Sequence, residues 1–372
     1  MIRRARRRWP AVLLGFLGAA GALFGLYLLS TSLVLLPGLL KPQAVATVET
    51  AAVAQLLARA DELFQAGAWE EAALQYERVV DLDGTHVEAL ARRAQALTIL
   101  HRSSEAIGVA LEAASFGPAS AEAYTALCQA YSWSGDLERA VEAGLRAVAL
   151  DPGSAKAHAM LAEAYADAKD AHAVNTIEAA LAIDGNNAWV QRVYGYVLEQ
   201  QGKPEEALAA YQRAIDLAPA HAYLYRMAGA LLRAQGKLDE ATRYLQRAIE
   251  LQPSEPRGHW QLGMIAYGRR NYREAAAAFR QSILADPTYA AGHEYLAWSL
   301  YLMQDYAGAV APFAKATELD AFNAQSWAGL GWALHLSGRS DEARPFLEKA
   351  ASLDPTLALA ARGLAALQNA PP

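Results

Sequence analysis

The sequence predicts an all-α protein, a solenoid of stacked helical hairpins preceded by one transmembrane helix. Three observations carry that expectation. A run of 26 apolar or small residues lies between Pro10 and Pro37. The remaining chain is rich in Ala and Leu, with strand-formers not dominant. One pattern returns every 34 residues over most of the length, the mark of a repeat array rather than a single globular core.

The first forty residues stand apart. MIRRARRRW carries Arg3, Arg4, Arg6, Arg7 and Arg8, and no charge follows until Lys41. As a helix, Ala11–Leu36 would be roughly 39 Å long, enough for a hydrocarbon core of about 30 Å with some tilt. The arginines would stay cytoplasmic (residues 1–10) and place everything after a linker (37–52) outside the cytoplasm, periplasmic or at the cell exterior. A cleaved signal peptide ending near Ala46 is the rival, with an apolar run about twice the usual ~7–15 residues. The sole cysteine, Cys128, excludes an N-terminal lipid anchor and any intramolecular disulfide. Beyond residue 50 remain 27 basic and 38 acidic residues, a net charge of −11, which disfavours nucleic acid as a partner.

The repeat is visible in GDLERAVEAGLRAVALDP (135–152), GKPEEALAAYQRAIDLAP (202–219), GKLDEATRYLQRAIELQP (236–253), RNYREAAAAFRQSILADP (270–287) and GRSDEARPFLEKAASLDP (338–355). With the opening residue numbered phase 15 and the proline phase 32, repeats begin near Val53, Val87, Ala121, Ala155, Ala188, Ala222, Pro256, Ala290 and Ala324. Small residues recur at phase 8 (Ala60, Ala94, Ala162, Gly195, Gly229, Gly263, Ala297, Gly331, with Cys128 standing in) and alanine at phase 20 (Ala72 through Ala343). Helices can approach closely only where side chains are small. Proline at phase 32 ends the second helix. The second unit is irregular at His101 and Ser103. The fourth is one residue short, near Lys169–His172.

This pattern resembles the tetratricopeptide repeat (TPR), a 34-residue helix–turn–helix unit. The resemblance covers residues 53–357 and implies a right-handed superhelical α-solenoid of about nine repeats. LALAARGLAALQ (357–368) reads as a capping helix, within a final segment 358–372.

No catalytic motif accompanies the repeats: no HExxH, CxxC, GxxxxGK[ST], GxSxG or dinucleotide-type glycine run. The protein is expected not to be an enzyme and to need no cofactor or metal. GLGWAL (329–334) is helix interior. His158, His259 and His293 share phase 4 and are expected at repeat interfaces. Cys128 is expected buried and inert.

In the resembled family, phases 2, 5, 9, 12 and 13 of each first helix face the concave groove. In the first four repeats these hold Asp61, Glu88, Glu122, Gln129, Glu163 and Asp167, with Lys156 and Trp133 as exceptions. In the last five they hold Trp189, Arg192, Tyr196 and Glu199; Tyr223, Arg226 and Arg233; Arg257, Trp260 and Tyr267; Glu294, Trp298 and Tyr301; Trp332 and His335. Five of the seven array tryptophans fall on groove phases, which packing alone does not predict. Stacked Arg192, Arg226 and Arg257 suit carboxylates. The lysine–asparagine clamp of chaperone-binding relatives is missing, with Leu57, Asp61, Ala91 and Gln95 at its phases. Tyr295 lies off both main stripes.

The resemblance and the N-terminus together imply a membrane-anchored scaffold. Its groove would bind an extended or C-terminal segment of a partner protein, in bacterial envelope assembly or secretion. The alternative is a component of polysaccharide synthesis or export whose tryptophans stack on an acidic glycan.

Overall fold

The computed structural model describes residues 42–368; the segment 1–10, the transmembrane helix expected over 11–36 and residues 369–372 lie outside them. Among the described residues every regular element is a helix. Nine hairpins follow in chain order: α1 (Pro42–Gln65) with α2 (Trp69–Leu82), α3 (Val87–Ile99) with α4 (Ser103–Phe116), α5 (Ala121–Ser134) with α6 (Leu137–Leu150), and α7 (Ala155–Asp167) with α8 (His172–Asp184). Then come α9 (Ala188–Gln200) with α10 (Pro204–Leu217), α11 (Ala222–Ala234) with α12 (Leu238–Leu251), α13 (Pro256–Gly268) with α14 (Tyr272–Ala285), α15 (Ala290–Leu302) with α16 (Tyr306–Leu319), and α17 (Ala324–Leu336) with α18 (Ser340–Leu353). A last helix, α19 (Ala358–Gln368), packs on α17 and α18.

Two expectations are corrected. Among the described residues no helix is long and apolar enough to cross a membrane. The described fold is therefore the solenoid with its terminal helix, no membrane span is found among the described residues, and the single-pass membrane localisation that rested on the span is not carried further. The expected linker 37–52 is helical from Pro42, so α1 runs 24 residues where the later first helices run 13 or 14.

The hairpins close on the small phases. Ala60, Ala94, Ala162 and Ala297 at phase 8, and alanines from Ala72 to Ala343 at phase 20, are almost wholly excluded from solvent. A large residue at phase 24 fills the space above each phase-8 glycine. A Cβ on Gly195 would lie 2.7 Å from the Tyr211 ring; on Gly229, 2.8 Å from Leu245; on Gly263, 2.5 Å from Phe279; on Gly331, 2.6 Å from Leu347. Repeat 3 inverts the sizes. Cys128 takes phase 8, and phase 24 becomes Gly144, where a Cβ would lie 3.0 Å from the Cys128 sulfur. The thiol is fully buried, and burial, then Glu163 and Asp167, push its pKa up.

Each turn from first to second helix places phase 15 in the left-handed region. Gly67, Gly135, Gly202, Gly236 and Gly338 do so, and so do His101, Lys169, Arg270 and Gln304. The chain must reverse there to return its last amides to the helix carbonyls, the usual helix C-terminal arrangement. A side chain at this position costs about 1–2 kcal/mol. The short fourth repeat loses its residue after Asp170, in the first turn of α8, which has 13 residues and no side-chain cap. In four repeats the phase-4 side chain ties the repeat to the loop before it. His158, Tyr225, His293 and Trp327 each lie within hydrogen-bond distance of the phase-32 carbonyl of the preceding repeat, 2.9–3.2 Å away.

Candidate functional site

The first helices line the concave side, but that side is not an open channel throughout. The superhelix winds far enough for repeat 1 to meet repeat 6. A Cβ on Gly67 would lie 2.6 Å from the Ala220 carbonyl oxygen. Trp69 sits edge-on to His221 at 4.7 Å, with Tyr223 at 6.2 Å. Trp69 and His221 are both buried, and burial pushes the His221 pKa down to about 4, against the nearby carbonyls of Gln65 and Phe64. The α1–α2 turn thus clasps the loop before α11.

Inside this closed part the charges satisfy one another. Arg92, off the expected groove phases, bridges Asp61, Glu88 and Glu122. Lys156 donates to the Gln95 side chain at 2.5 Å, and its ammonium lies over the Trp189 ring. Burial first, then Arg92, lowers its pKa to about 8 against the pull of Glu122. Arg192, 1% exposed, grips both oxygens of Glu163 at 2.5 and 2.6 Å. Its guanidinium lies between the Trp133 and Trp189 rings, and the Trp133 indole N–H also donates to Glu163. Tyr196 and Ser132 both donate to Asp167. Burial raises the Asp167 pKa despite those two bonds.

Of the residues expected on the groove, Trp189, Arg192 and Tyr196 are therefore consumed by packing or internal bonds, and the Tyr223 ring packs against Trp189 and His221 while its hydroxyl lacks a partner. Trp189, Arg192 and Tyr223 are buried outright. The expected anion-binding stack of Arg192, Arg226 and Arg257 does not form as a set. Arg192 is neutralised by Glu163. Arg257 binds Glu255 at 3.3 Å. Among the described residues Arg226 has only Glu255, 3.6 Å from its Nε.

A cavity of about 340 Å³ remains between Trp133, Tyr196, Tyr223, Arg226 and Met227. A second, of about 290 Å³, lies beyond Arg257 and Tyr289. His101 lines both, stacked on Trp133 at 5.4 Å. Enclosure in the concavity, then the Arg257 and Arg226 charges, holds its imidazole down near 3. His101 was missed from sequence because phase 15 is a turn position; only the long-range winding carries it into the concavity.

Repeats 7–9 differ. Trp260, Tyr267, Trp298, Tyr301, Trp332 and His335 are all partly exposed. Tyr295 packs among Trp260, Tyr267 and Phe279 at 5.6–5.8 Å, which accounts for its odd phase: it is the wedge between neighbouring groove rings. Trp298 stands edge-on to Phe313 and Tyr301. Glu294 accepts from Asn323 at 3.1 Å, and burial raises its pKa. Trp332 donates to the Leu359 carbonyl of α19 at 2.9 Å, and His335 contacts Ser340. Leu302, Met303 and Leu336, about two-fifths exposed, border this stripe.

Comparison with known proteins agrees with the architecture. Family models of the tetratricopeptide repeat match residues 186–254, 260–324 and 296–358. No curated protein matches in sequence. Among solved structures, the APC/C hetero-tetramer Cut9–Hcn1 is similar over 80% of this chain and 59% of that one, at 16% identity and a TM-score of 0.61. This chain thus spans about three fifths of that structure's length, and the likeness is one of fold. Yeast Tom70 aligns over 86% of this chain and 96% of its own, at 14% identity and a TM-score of 0.48. YrrB, described as a TPR protein with an unusual peptide-binding site, aligns over 50% and 96%, at 19% identity and a TM-score of 0.42. With the hairpin pairing, the small-residue phases and the family-model matches together, the chain belongs to the tetratricopeptide repeat family, whose solenoids are protein-binding scaffolds.

Proposed function

We propose that the chain binds an extended segment of a partner protein along the concave face of repeats 7–9. The observation that carries this is the partly exposed aromatic stripe of Trp260, Tyr267, Trp298, Tyr301 and Trp332 on three consecutive first helices. Amphipathic rings held in place by neighbours contribute contact area with little entropy left to lose. Leu302, Met303 and Leu336 extend the same surface with apolar side chains. The envelope setting rested on the N-terminal span and forms no part of the proposal.

The test is affinity capture with the full chain. A Trp298→Ala, Tyr301→Ala variant loses partners held by the unaltered protein, and Leu284→Ala, at a position 73% exposed on a second helix, keeps them. Circular dichroism confirms that both variants remain helical. An unchanged partner list from the double variant overturns the assignment.

A further inference from the structure

The concave stripe of α11 has donors without acceptors. Tyr223 is 5% exposed, lines the 340 Å³ cavity, and its buried hydroxyl has no hydrogen-bond partner. The Nε of Arg226 and the Nε of Arg233 are likewise buried and unbonded. These three residues sit at phases 2, 5 and 12, on one face of the helix. The contrast with α9 explains why they lack partners. There, the phase-5 residue Arg192 takes the phase-9 residue of the preceding repeat, Glu163. One repeat later the same geometry gives Arg226 the phase-9 residue Tyr196, a phenol already donating to Asp167.

The nearest carboxylate cannot replace it. Glu255 caps α13 through the Gly258 amide and holds Arg257, leaving its oxygen 3.6 Å from Arg226 Nε, beyond hydrogen-bond reach. Burial, then the neighbouring Arg257, lowers the Arg226 pKa, against the pull of Glu255. The acids on the other side of the cavity are engaged, Glu163 by Arg192 and Asp167 by Ser132 and Tyr196. Arg233 has no ion pair among the described residues.

Arg226 and Arg233 are seven residues apart on α11, about 10.5 Å along the axis. One turn of polyproline-II chain, three residues, rises about 9 Å and returns position i+3 to the same side as position i. We propose that α11 is an acidic-peptide subsite: one carboxylate binds Arg226 and the Tyr223 hydroxyl, and a second, three residues along, binds Arg233. This rests on the peptide-binding reading above and names the class of segment, one with Asp or Glu at positions i and i+3. Buried charge-assisted bonds of this kind are about twice as strong as neutral ones. The ligand would supply the acceptors the preceding repeat lacks.

The test uses the full chain and three capped peptides followed by titration calorimetry: Gly-Glu-Ser-Gly-Glu-Gly, the same peptide with both Glu replaced by Gln, and an isomer with adjacent glutamates. The spaced acidic peptide is expected to bind at least tenfold more tightly than either of the others. Arg226→Gln and Arg233→Gln each remove most of that preference while leaving the melting temperature within a few degrees. Equal binding of the Gln peptide or of the isomer overturns the proposal. So does indifference to both arginine substitutions, or no binding of any peptide at about 5 mM, beyond the weakest affinities of interest. Tighter binding of oligogalacturonate than of the peptide would assign the subsite to a glycan and also overturn it. Partner loss in the Trp298, Tyr301 variant is independent of all these outcomes, so the groove reading and the acidic subsite fail separately.

Discussion

Repeats 3–5 and repeats 7–9 present side chains from the same phases to the same concave side, and use them oppositely. In the first group a cation meets a carboxylate one repeat away. Arg192 disappears between two tryptophans onto Glu163, and Tyr196 onto Asp167. In the second group the rings brace one another through Tyr295 and Phe313 but keep part of their surface in solvent. What separates them is the chemistry of the adjacent repeat. An acid at phase 9 or 13 closes the groove over the next repeat's Arg or Tyr, and an aromatic there leaves it open. Repeat 6, between them, has the donors of the closed half without its acceptors.

The comparison breaks most severely at Glu163. Glu163→Gln leaves Arg192 as a buried charge with one neutral acceptor and should cost about 3–5 kcal/mol, read as a fall in the urea midpoint. Replacing the pair together, Glu163→Leu with Arg192→Met, should recover most of that loss. If the single substitution costs no more than a surface change, the closed half is not held by this pair.

Acid loosens the clasp next. His221 is neutral when folded, with a pKa near 4, against 6.5 when unfolded. The unfolded chain therefore binds more protons between those values. Stability from this group is complete above pH 6.5 and is lost as pH falls towards 4, by about 3 kcal/mol in all. His221→Gln should flatten the slope of stability against pH across that window. An identical slope in the variant would remove His221 from the account.

The smallest effect sharpens the open half. Gly263→Ala pushes a methyl into the Phe279 ring and should cost about 1–3 kcal/mol by overpacking. Gly263→Ala combined with Phe279→Leu should recover part of it. A variant as stable as the parent would mean that α13 and α14 separate freely.

The hairpins were legible because their signals are local and repeated. Small residues at phases 8 and 20 are needed by helix contact in every unit, and the phase-15 turn recurs even where glycine does not. Phase alone picked out one stripe on each first helix. It could not say which were free. Arg192 and Arg226 share phase 5 and read alike, and their difference lies in residues 29 or 30 positions earlier, Glu163 and Tyr196. His101 and Trp69 were further out of reach, because only the accumulated winding of several repeats brings them to repeat 6. The membrane span was read from residues 11–36, which lie outside the described chain, and no described helix supplies one.

The clasp has a kinetic consequence. A solenoid ordinarily folds and unfolds unit by unit, since each repeat touches only its neighbours. Trp69 and His221 are about 150 residues apart, a loop whose closure from a disordered chain would be slow and entropically costly. Once the intervening repeats have stacked, their rigid curvature delivers the two rings together and most of that cost is already met. The contact should therefore form last on folding and act as a latch on unfolding, so that fraying at the first repeat no longer proceeds independently of the sixth.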